Sequence, residues 1–425
     1  MAIVASQKEK ELDTLEEHLP KNGWLGEYLK FTSGVESCPR FRFFSACAAM
    51  GAIVNNHVWI QRGDEGLLPK LFPNPWVILL APPGRGHKTA CINMACNCLE
   101  QASPNVRVLA DKLTPETLVK NLSAPVTEGE RIRIGPRDAT GLIKAPEISV
   151  FFGKQQYNVG MVSLITDLYD YREIWRGETI GRGKEVLKNN CISVLGGSTP
   201  QWLQHMLPQD AFTGGFMSRF ILVEMPINYF KRITQPKKPA GTSWKALVER
   251  LRSFEEIRGK MEWTVSGLKE YDVCYTEGQP TGNVQEDAYR ERESEQVLRV
   301  AMLLALDQGR LKLEGVDLLK AKEIIYHLRK EIGPRIEQLT THPRMALIGE
   351  IEDLLKIHGK LSEVELLNKT YRYLSQGEKQ FYEAISILRN RGVLCVEDTG
   401  KAKGDGTRCW LFSLKVKEEG KQNGL

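Results

Sequence analysis

The chain has 425 residues, so at ~150 residues per domain two to four domains are expected. Hydrophobic residues at 42% and charged residues at 26% are globular proportions, which exclude wholesale disorder, a collagen-like fibre and a coiled-coil rod. The formal net charge of +5 is compatible with nucleic acid but names no partner.

No apolar run approaches the ~20 residues of a membrane helix; the best are Trp76 to Leu80 and Val300 to Leu306. The start, Met1-Ala2-Ile3-Val4-Ala5 followed by Lys8 to Glu11, lacks the pattern of a signal peptide, so a cytoplasmic protein without membrane contact is expected. The nine cysteines contain no C-x-x-C pair; Cys91, Cys96 and Cys98 read as small buried side chains of a helix rather than zinc ligands.

Residues 1–70 read as a helical region. Apolar residues between Trp24 and His57 recur three to four apart, predicting two helices broken around Cys38-Pro39. After Phe72-Pro73-Asn74-Pro75, the run Trp76-Val77-Ile78-Leu79-Leu80 predicts a strand buried on both faces, as in a parallel sheet. It leads through Ala81-Pro82-Pro83-Gly84-Arg85-Gly86-His87-Lys88-Thr89 into a helix predicted over Ala90 to Gln101.

Strand, glycine-rich loop and helix in that order is the setting of a phosphate-binding loop. There, main-chain N–H groups cradle phosphates, a lysine reaches the β and γ oxygens and a Ser or Thr hydroxyl holds magnesium. The pattern G-x-x-x-x-G-K-[ST] fits in two imperfect registers. In one, His87 takes the lysine position; in the other, Lys88 and Thr89 are the K-T pair and Pro82 and His87 replace the glycines. The second is preferred, with Pro83 to Thr89 as the nucleotide-binding residues; a plain Gly/Pro turn is the alternative.

Further along, Ala145 to Phe152 is read as a strand presenting Glu147 near its end, a carboxylate able to order magnesium or polarise water. Met161 to Tyr171 is read as a packing helix. Glu178-Thr179-Ile180-Gly181-Arg182-Gly183-Lys184 reads as a hairpin tip whose Arg182 and Lys184 could grip DNA phosphates, or as a solvated turn. Cys191 to Leu195 predicts a second buried strand. It ends in Gly196-Gly197-Ser198-Thr199-Pro200, where Ser198 or Thr199 could sense a γ-phosphate or cap a helix over Trp202 to Leu207. The run Gly214-Gly215-Phe216-Met217-Ser218-Arg219-Phe220 precedes a third apolar strand. Its Arg219 reads as an arginine finger for a neighbouring subunit's nucleotide, or as a structural ion pair.

These motifs, together with Trp24-Leu25-Gly26-Glu27-Tyr28-Leu29, resemble in order a family of phage and mobile-element AAA+ ATPases related to the minichromosome maintenance (MCM) helicases, over roughly residues 20 to 335. The resemblance implies an α/β AAA+ core over residues 71–230, a helical lid over 243–340 and ATP with Mg2+ as cofactors. It implies a hexameric ring of like subunits acting on single-stranded or forked DNA, in the cytoplasm of a bacterial host. Carried over residue by residue, the acidic motif falls on Glu147, the first sensor on Ser198 or Thr199, the finger on Arg219 and a second sensor on Arg299 of the helix Ser294 to Ala305. The channel hairpin falls on Arg182 and Lys184. His87, the missing first glycine and the single carboxylate depart from the family pattern.

Lys231 to Pro239 is a basic, proline-punctuated linker. Beyond Pro343, helices predicted over Ala346 to His358, Ser362 to Lys369 and Glu378 to Arg391, with Ser375 as a cap, precede two strands, Val393 to Val396 and Cys409 to Phe412. Three helices and a two-stranded ribbon with Lys401 and Lys403 at its tip describe a winged helix over 343–415, for contact with DNA phosphates or with protein. The expected activity is an ATP-driven DNA helicase or translocase; the rival is a non-hydrolysing DNA-binding initiator or loader scaffold.

Overall fold

The computed structural model describes residues 23–123, 127–128, 131–132, 138–152, 160–179, 183–206, 215–226, 229–277, 284–340, 343–371, 374, 377–402 and 408–414. The chain forms two compact units, Met1–Glu337 and Gln338–Leu425.

In the first unit the strands run β1 (Val58–Ile60), β2 (Trp76–Leu80), β3 (Val108–Leu109), β4 (Thr127–Glu128), β5 (Arg131–Ile132), β6 (Asp138–Ala145), β7 (Ile174–Thr179), β8 (Gly183–Ser198), β9 (Ile221–Glu224), β10 (Gly259–Trp263) and β11 (Lys312–Leu313). The main sheet has the order β3-β6-β8-β2-β9, parallel throughout, with β7 antiparallel on β8. Every residue of β2 is buried, because it has parallel neighbours on both edges and cover on both faces. The chain leaves β2 towards β3 and later returns to add β9 on β2's other edge, so the direction of winding reverses at β2. This is a mixed α/β fold with a mainly parallel sheet, consistent with a phosphate-loop ATPase fold.

The two N-terminal helices are Trp24–Phe31 and Pro39–Val54, with Cys38 as the N-cap of the second and Pro39 at its first position, where a missing N–H costs nothing. All of Arg40 to Val54 is buried, a helix apolar on every side rather than on one stripe. It lies against helix Lys88–Ala102, strands β2, β6 and β8, and helix Glu293–Asp307. Both buried arginines have polar partners: Arg42 donates to the carbonyl of Leu29 at 2.8 Å, and Arg40 pairs with Glu331.

Three sequence readings are corrected here. The strand read over Ala145 to Phe152 ends at Ala145, and Ile148–Phe152 is a helix. Pro146 has no N–H for a ladder, and turning the chain there buries Phe152 edge-on against Phe216, with ring centroids 5.2 Å apart. The short strand read over Cys191 to Leu195 is the inner part of the 16-residue β8. Polar residues such as Asn189 and Asn190 hid its outer half, yet Asn190 is buried, donating to the carbonyl of Leu168 at 2.8 Å. Residues 243–340 are not purely helical, because β10 and β11 form a parallel three-stranded sheet with β1 of the N-terminal region. One hydrophobic core therefore runs from Trp24 through Leu79 and Leu99 to Leu328, across the segments read as separate domains.

The second unit holds helices Pro343–His358, Glu363–Thr370 and Glu378–Asn390 and an antiparallel sheet of β12 (Lys360–Ser362), β13 (Leu394–Ala402) and β14 (Arg408–Leu414) in the order β12-β14-β13. The sequence reading had two strands; β12 is too short to show a period. Ser362 and Glu365 form a reciprocal capping box at the second helix. Leu347, Ile351, Leu366, Phe381, Leu388 and Phe412 make this unit's own core. The predicted cap Ser375 lies outside the described residues.

Candidate functional site

The parallel sheet presents its carboxyl edge where β2, β6, β8 and β9 end. Leu80 is level with Ser198 on one side and Glu224 on the other, and Ala145 is level with Gly196. At that edge the loop from Ala81 to His87 leaves β2. Its root is fixed by main-chain bonds, Ala81 N–H to Ser198 carbonyl at 3.3 Å and Met225 N–H to Leu80 carbonyl at 2.8 Å. A turn closes with Arg85 N–H on the Pro82 carbonyl at 3.2 Å. Gly84 (φ +69°), Gly86 (φ +73°) and His87 (φ +46°) are all left-handed. Glycine takes that region without strain, and His87 carries the cost of a side chain there.

Lys88 is the first residue of the helix, two residues ahead of the sequence estimate. The free N–H groups of the helix's first turn and the loop amides offer an anion a ready cradle. The ammonium of Lys88 donates to the carbonyl of Ala81 at 2.9 Å, folding the side chain back over the loop. Burial lowers its pKa, opposed by the charge of Glu147. Thr89 is exposed in the same turn.

Glu147 lies two residues past β6, exposed, its carboxylate accepting the Ser149 hydroxyl at 3.0 Å. Ser198 is fully buried at the end of β8 and its hydroxyl donates to the Thr199 carbonyl at 3.3 Å. Thr199 caps helix Pro200–Met206, its hydroxyl accepting the Trp202 N–H at 3.2 Å.

Two residues outside the sequence reading complete this edge. A Cβ on Gly197 would stand 2.7 Å from the Pro146 carbonyl and 3.5 Å from Lys88 Cβ, so its missing side chain is what lets the Glu147 turn and the Lys88 helix close on one another. The glycine pair at a strand end was the available signal. Glu36 was not findable from sequence: its carboxylate pairs with His87 Nε2 at 2.7 Å and accepts the Ile233 N–H at 2.7 Å. The Ile233 N–H first, and His87 after it, hold its carboxyl below the usual range.

The structure puts the two arginines elsewhere. Arg219 ends a turn, Met217–Arg219, just before β9, whose Ile221 is level with Val77. The phosphate loop begins four residues beyond Val77, about 13 Å further along the strand direction, so Arg219 stands at the opposite, amino edge of the sheet. Arg299 is there too. It is 4% exposed and donates to the carbonyl of Phe72 at 2.7 Å and to Asn74, just ahead of β2.

Of the residues read for DNA contact, Lys184 is in β8, opposite Glu178 of β7, and Lys401 is in β13. Arg182 and Lys403 lie outside the described residues. No helix among the described residues is long and apolar enough to cross a membrane.

No protein-family model matches the chain, and neither does any curated protein. Among solved structures it is similar to a candidate ATPase from Cytophaga hutchinsonii, at 14% identity over 80% of this chain and 98% of that one, with a TM-score of 0.35. A likeness that loose leaves the reading to the chain's own geometry.

Proposed function

We propose that this chain is an ATP-driven DNA helicase or translocase of the MCM-related AAA+ type, working as a hexameric ring in the replication of a phage or mobile element. One observation carries the reading: Lys88, Thr89, Glu147 and Ser198 come from three separate stretches of chain to one carboxyl edge, around a loop with three left-handed residues, at the strand where the winding reverses. ATP and Mg2+ suit that edge. Open space around the Cβ position of Gly84 leaves room for phosphate beside the helix start. No cluster of three or more metal-binding side chains is found among the described residues; magnesium in a nucleotide site takes one or two protein oxygens plus phosphate and water, which Thr89 and Glu147 can supply.

In this reading Lys88 exchanges the Ala81 carbonyl for phosphate oxygens, the Thr89 hydroxyl serves the metal, and Glu147 leaves Ser149 to orient the attacking water while Ser198 or Thr199 fixes the γ end. Arg219, at the wrong edge for its own loop, serves the loop of a neighbouring copy. DNA is gripped by Arg182, in the stretch that joins β7 to β8, by Lys184 of β8, and by the second unit, whose three helices and antiparallel sheet fit a winged helix, with Lys401 and Lys403 as its sequence candidates for phosphate contact.

The test is magnesium-dependent ATP hydrolysis that rises with single-stranded DNA. Loss of an arginine finger costs ~10³-fold or more in turnover, so Arg219→Ala is expected to be nearly inactive, as is Lys88→Ala. Unchanged rates in both variants would sink the proposal. The rival, a non-hydrolysing DNA-binding initiator or loader scaffold, is favoured by the self-satisfied contacts of Lys88 and Glu147. DNA-stimulated turnover removes it; tight DNA binding with no turnover removes the helicase.

A further inference from the structure

The amino edge of the main sheet carries a cluster that the phosphate loop does not use. The ring of Tyr169, 3% exposed at the end of helix Met161–Tyr169, has three guanidinium groups around it. Arg219 is 5.4 Å from the ring centroid, Arg292 is 5.2 Å and Arg299 is 4.9 Å. The ring is also pinned by Trp76, the first residue of β2, whose ring meets it edge-on with centroids 4.8 Å apart.

The three arginines are not equivalent. Arg299 is committed to Phe72 and Asn74 and forms the back of the cluster. Arg292 is a quarter exposed, bonded to Glu295 at 3.2 Å and 3.6 Å from Asp170. Arg219 is only partly buried. Its terminal nitrogen meets the Gly215 carbonyl, and its Nε is buried without a partner among the described residues. Burial, and after it the charge of Arg292, lowers the Arg219 pKa, while Asp170 and Glu295 oppose this. Glu295 is shared with Arg62 at 2.7 Å. Among the described residues, four arginines thus face two carboxylates in a half-buried place, an excess of positive charge that favours an anion. An aromatic face attracts cations without itself carrying charge, and a planar guanidinium can stack on it.

We propose that Tyr169 is a positioning residue that holds Arg219 and Arg292 together as a two-arginine receptor for the terminal phosphate of a nucleotide bound by a neighbouring copy of this chain. The inference rests on the ATPase reading above and adds to it Arg292 as a second cation at the phosphate and Tyr169 as the platform that aims both. An arginine on a flexible stem loses rotamer entropy when it engages an anion; stacking on a fixed ring removes much of that loss beforehand.

The test uses full-length protein. A cation–π contact at a partly desolvated site is worth a factor of ~2 to 30, and Tyr169→Leu removes all three, including those of the two receptor arginines, so kcat for ATP is expected to fall by more than ~10-fold with KM little changed. Tyr169→Phe keeps the ring and is expected to rescue that loss. Because Tyr169 also packs on Trp76, binding of a fluorescent ATP analogue to the Lys88 loop is measured in the same samples as a check on folding. Arg292→Ala, which leaves the core untouched, supplies a second variant with the same expected loss of kcat. Subunit mixing then tells whose nucleotide is served. Lys88→Ala keeps the receptor and Arg292→Ala keeps the loop, so the mixture is expected to regain turnover that neither has alone. The idea is overturned if Tyr169→Leu or Arg292→Ala, still binding nucleotide, hydrolyses at the wild-type rate while Arg219→Ala is dead. That result leaves the ATPase reading standing, whereas absence of turnover in the wild type removes both.

Discussion

Gly84 and Gly86 sit two residues apart in the same loop with nearly the same φ, +69° and +73°, yet an alanine at each should act differently. The cost common to both is that of placing a Cβ in the left-handed region, about 1–2 kcal/mol. At Gly86 the new Cβ would also stand 3.0 Å from Phe41 Cε2, 3.1 Å from Ala81 Cβ and 3.1 Å from Met225 Sδ, all inside ordinary contact distance. Forcing a methyl into such a site costs about 1 kcal/mol or more. Gly86→Ala is therefore expected to lose about 2–3 kcal/mol in total, and for a unit of this size each kcal/mol moves Tm by roughly 2 °C. At Gly84 nothing lies within 4 Å of the Cβ position, so the added methyl points into the space assigned above to phosphate. Gly84→Ala should then lose only the shared strain of about 1–2 kcal/mol, a Tm lower by about 2–4 °C, while losing nucleotide affinity. Gly86→Ala should show a Tm lower by several degrees together with weakened binding. Thermal melts by circular dichroism and titration with a fluorescent ATP analogue measure the two quantities on the same preparations. Equal Tm values for the two variants, or undiminished affinity in Gly84→Ala, would refute the loop geometry as the nucleotide site.

Burial pushes the carboxyl of Asp307 up to about 6 from an ordinary 3.8, while its Oδ1 accepts the Leu25 N–H at 3.1 Å. Between those values the folded chain keeps a proton the unfolded chain has released. Stability therefore falls as pH rises through this window, by about 3 kcal/mol in all. Asp307→Asn mimics the protonated form, so its Tm relative to wild type should be higher at pH 7.5 than at pH 4.5; a difference independent of pH would count against this. Arg299→Ala strips hydrogen bonds from the buried carbonyls of Phe72 and Asn74 and should cost about 1–3 kcal/mol of stability, read as a fall in Tm; an unaltered melt would show that the contacts with Phe72 and Asn74 contribute little. Glu36→Ala removes the acceptor shared by His87 and Ile233 and should alter nucleotide affinity through the loop; unchanged affinity would show that Glu36 does not steer the loop. Deleting residues 343–425 removes a unit with its own core, so nucleotide binding should survive while DNA binding falls, and intact DNA affinity would exclude the second unit as the grip.

The amino-acid sequence by itself determined the local pieces whose physics is local. Trp76 to Leu80 is a continuous apolar run that only burial on both faces can satisfy, and the glycine-rich loop after it leads straight into the Lys88 helix. Pro39 could open a helix but not continue one, and the helix starts there. Glu147 was legible as a strand-end carboxylate, but the strand itself was misjudged, since Phe151 and Phe152 are apolar in either conformation and only their packing partners decide. What the tertiary structure alone decided is relative position. Which edge of the sheet holds Arg219 follows from parallel pairing of Ile221 with Val77, a contact between residues 144 apart in sequence that no periodicity encodes. In the same way, Arg299 is buried on the Phe72–Asn74 turn, Glu36 holds His87 and Ile233, and three arginines share the ring of Tyr169. Sequence patterns report how each segment meets solvent. Sites made of charges from distant segments depend on strand order and register, which are settled only when the whole core closes.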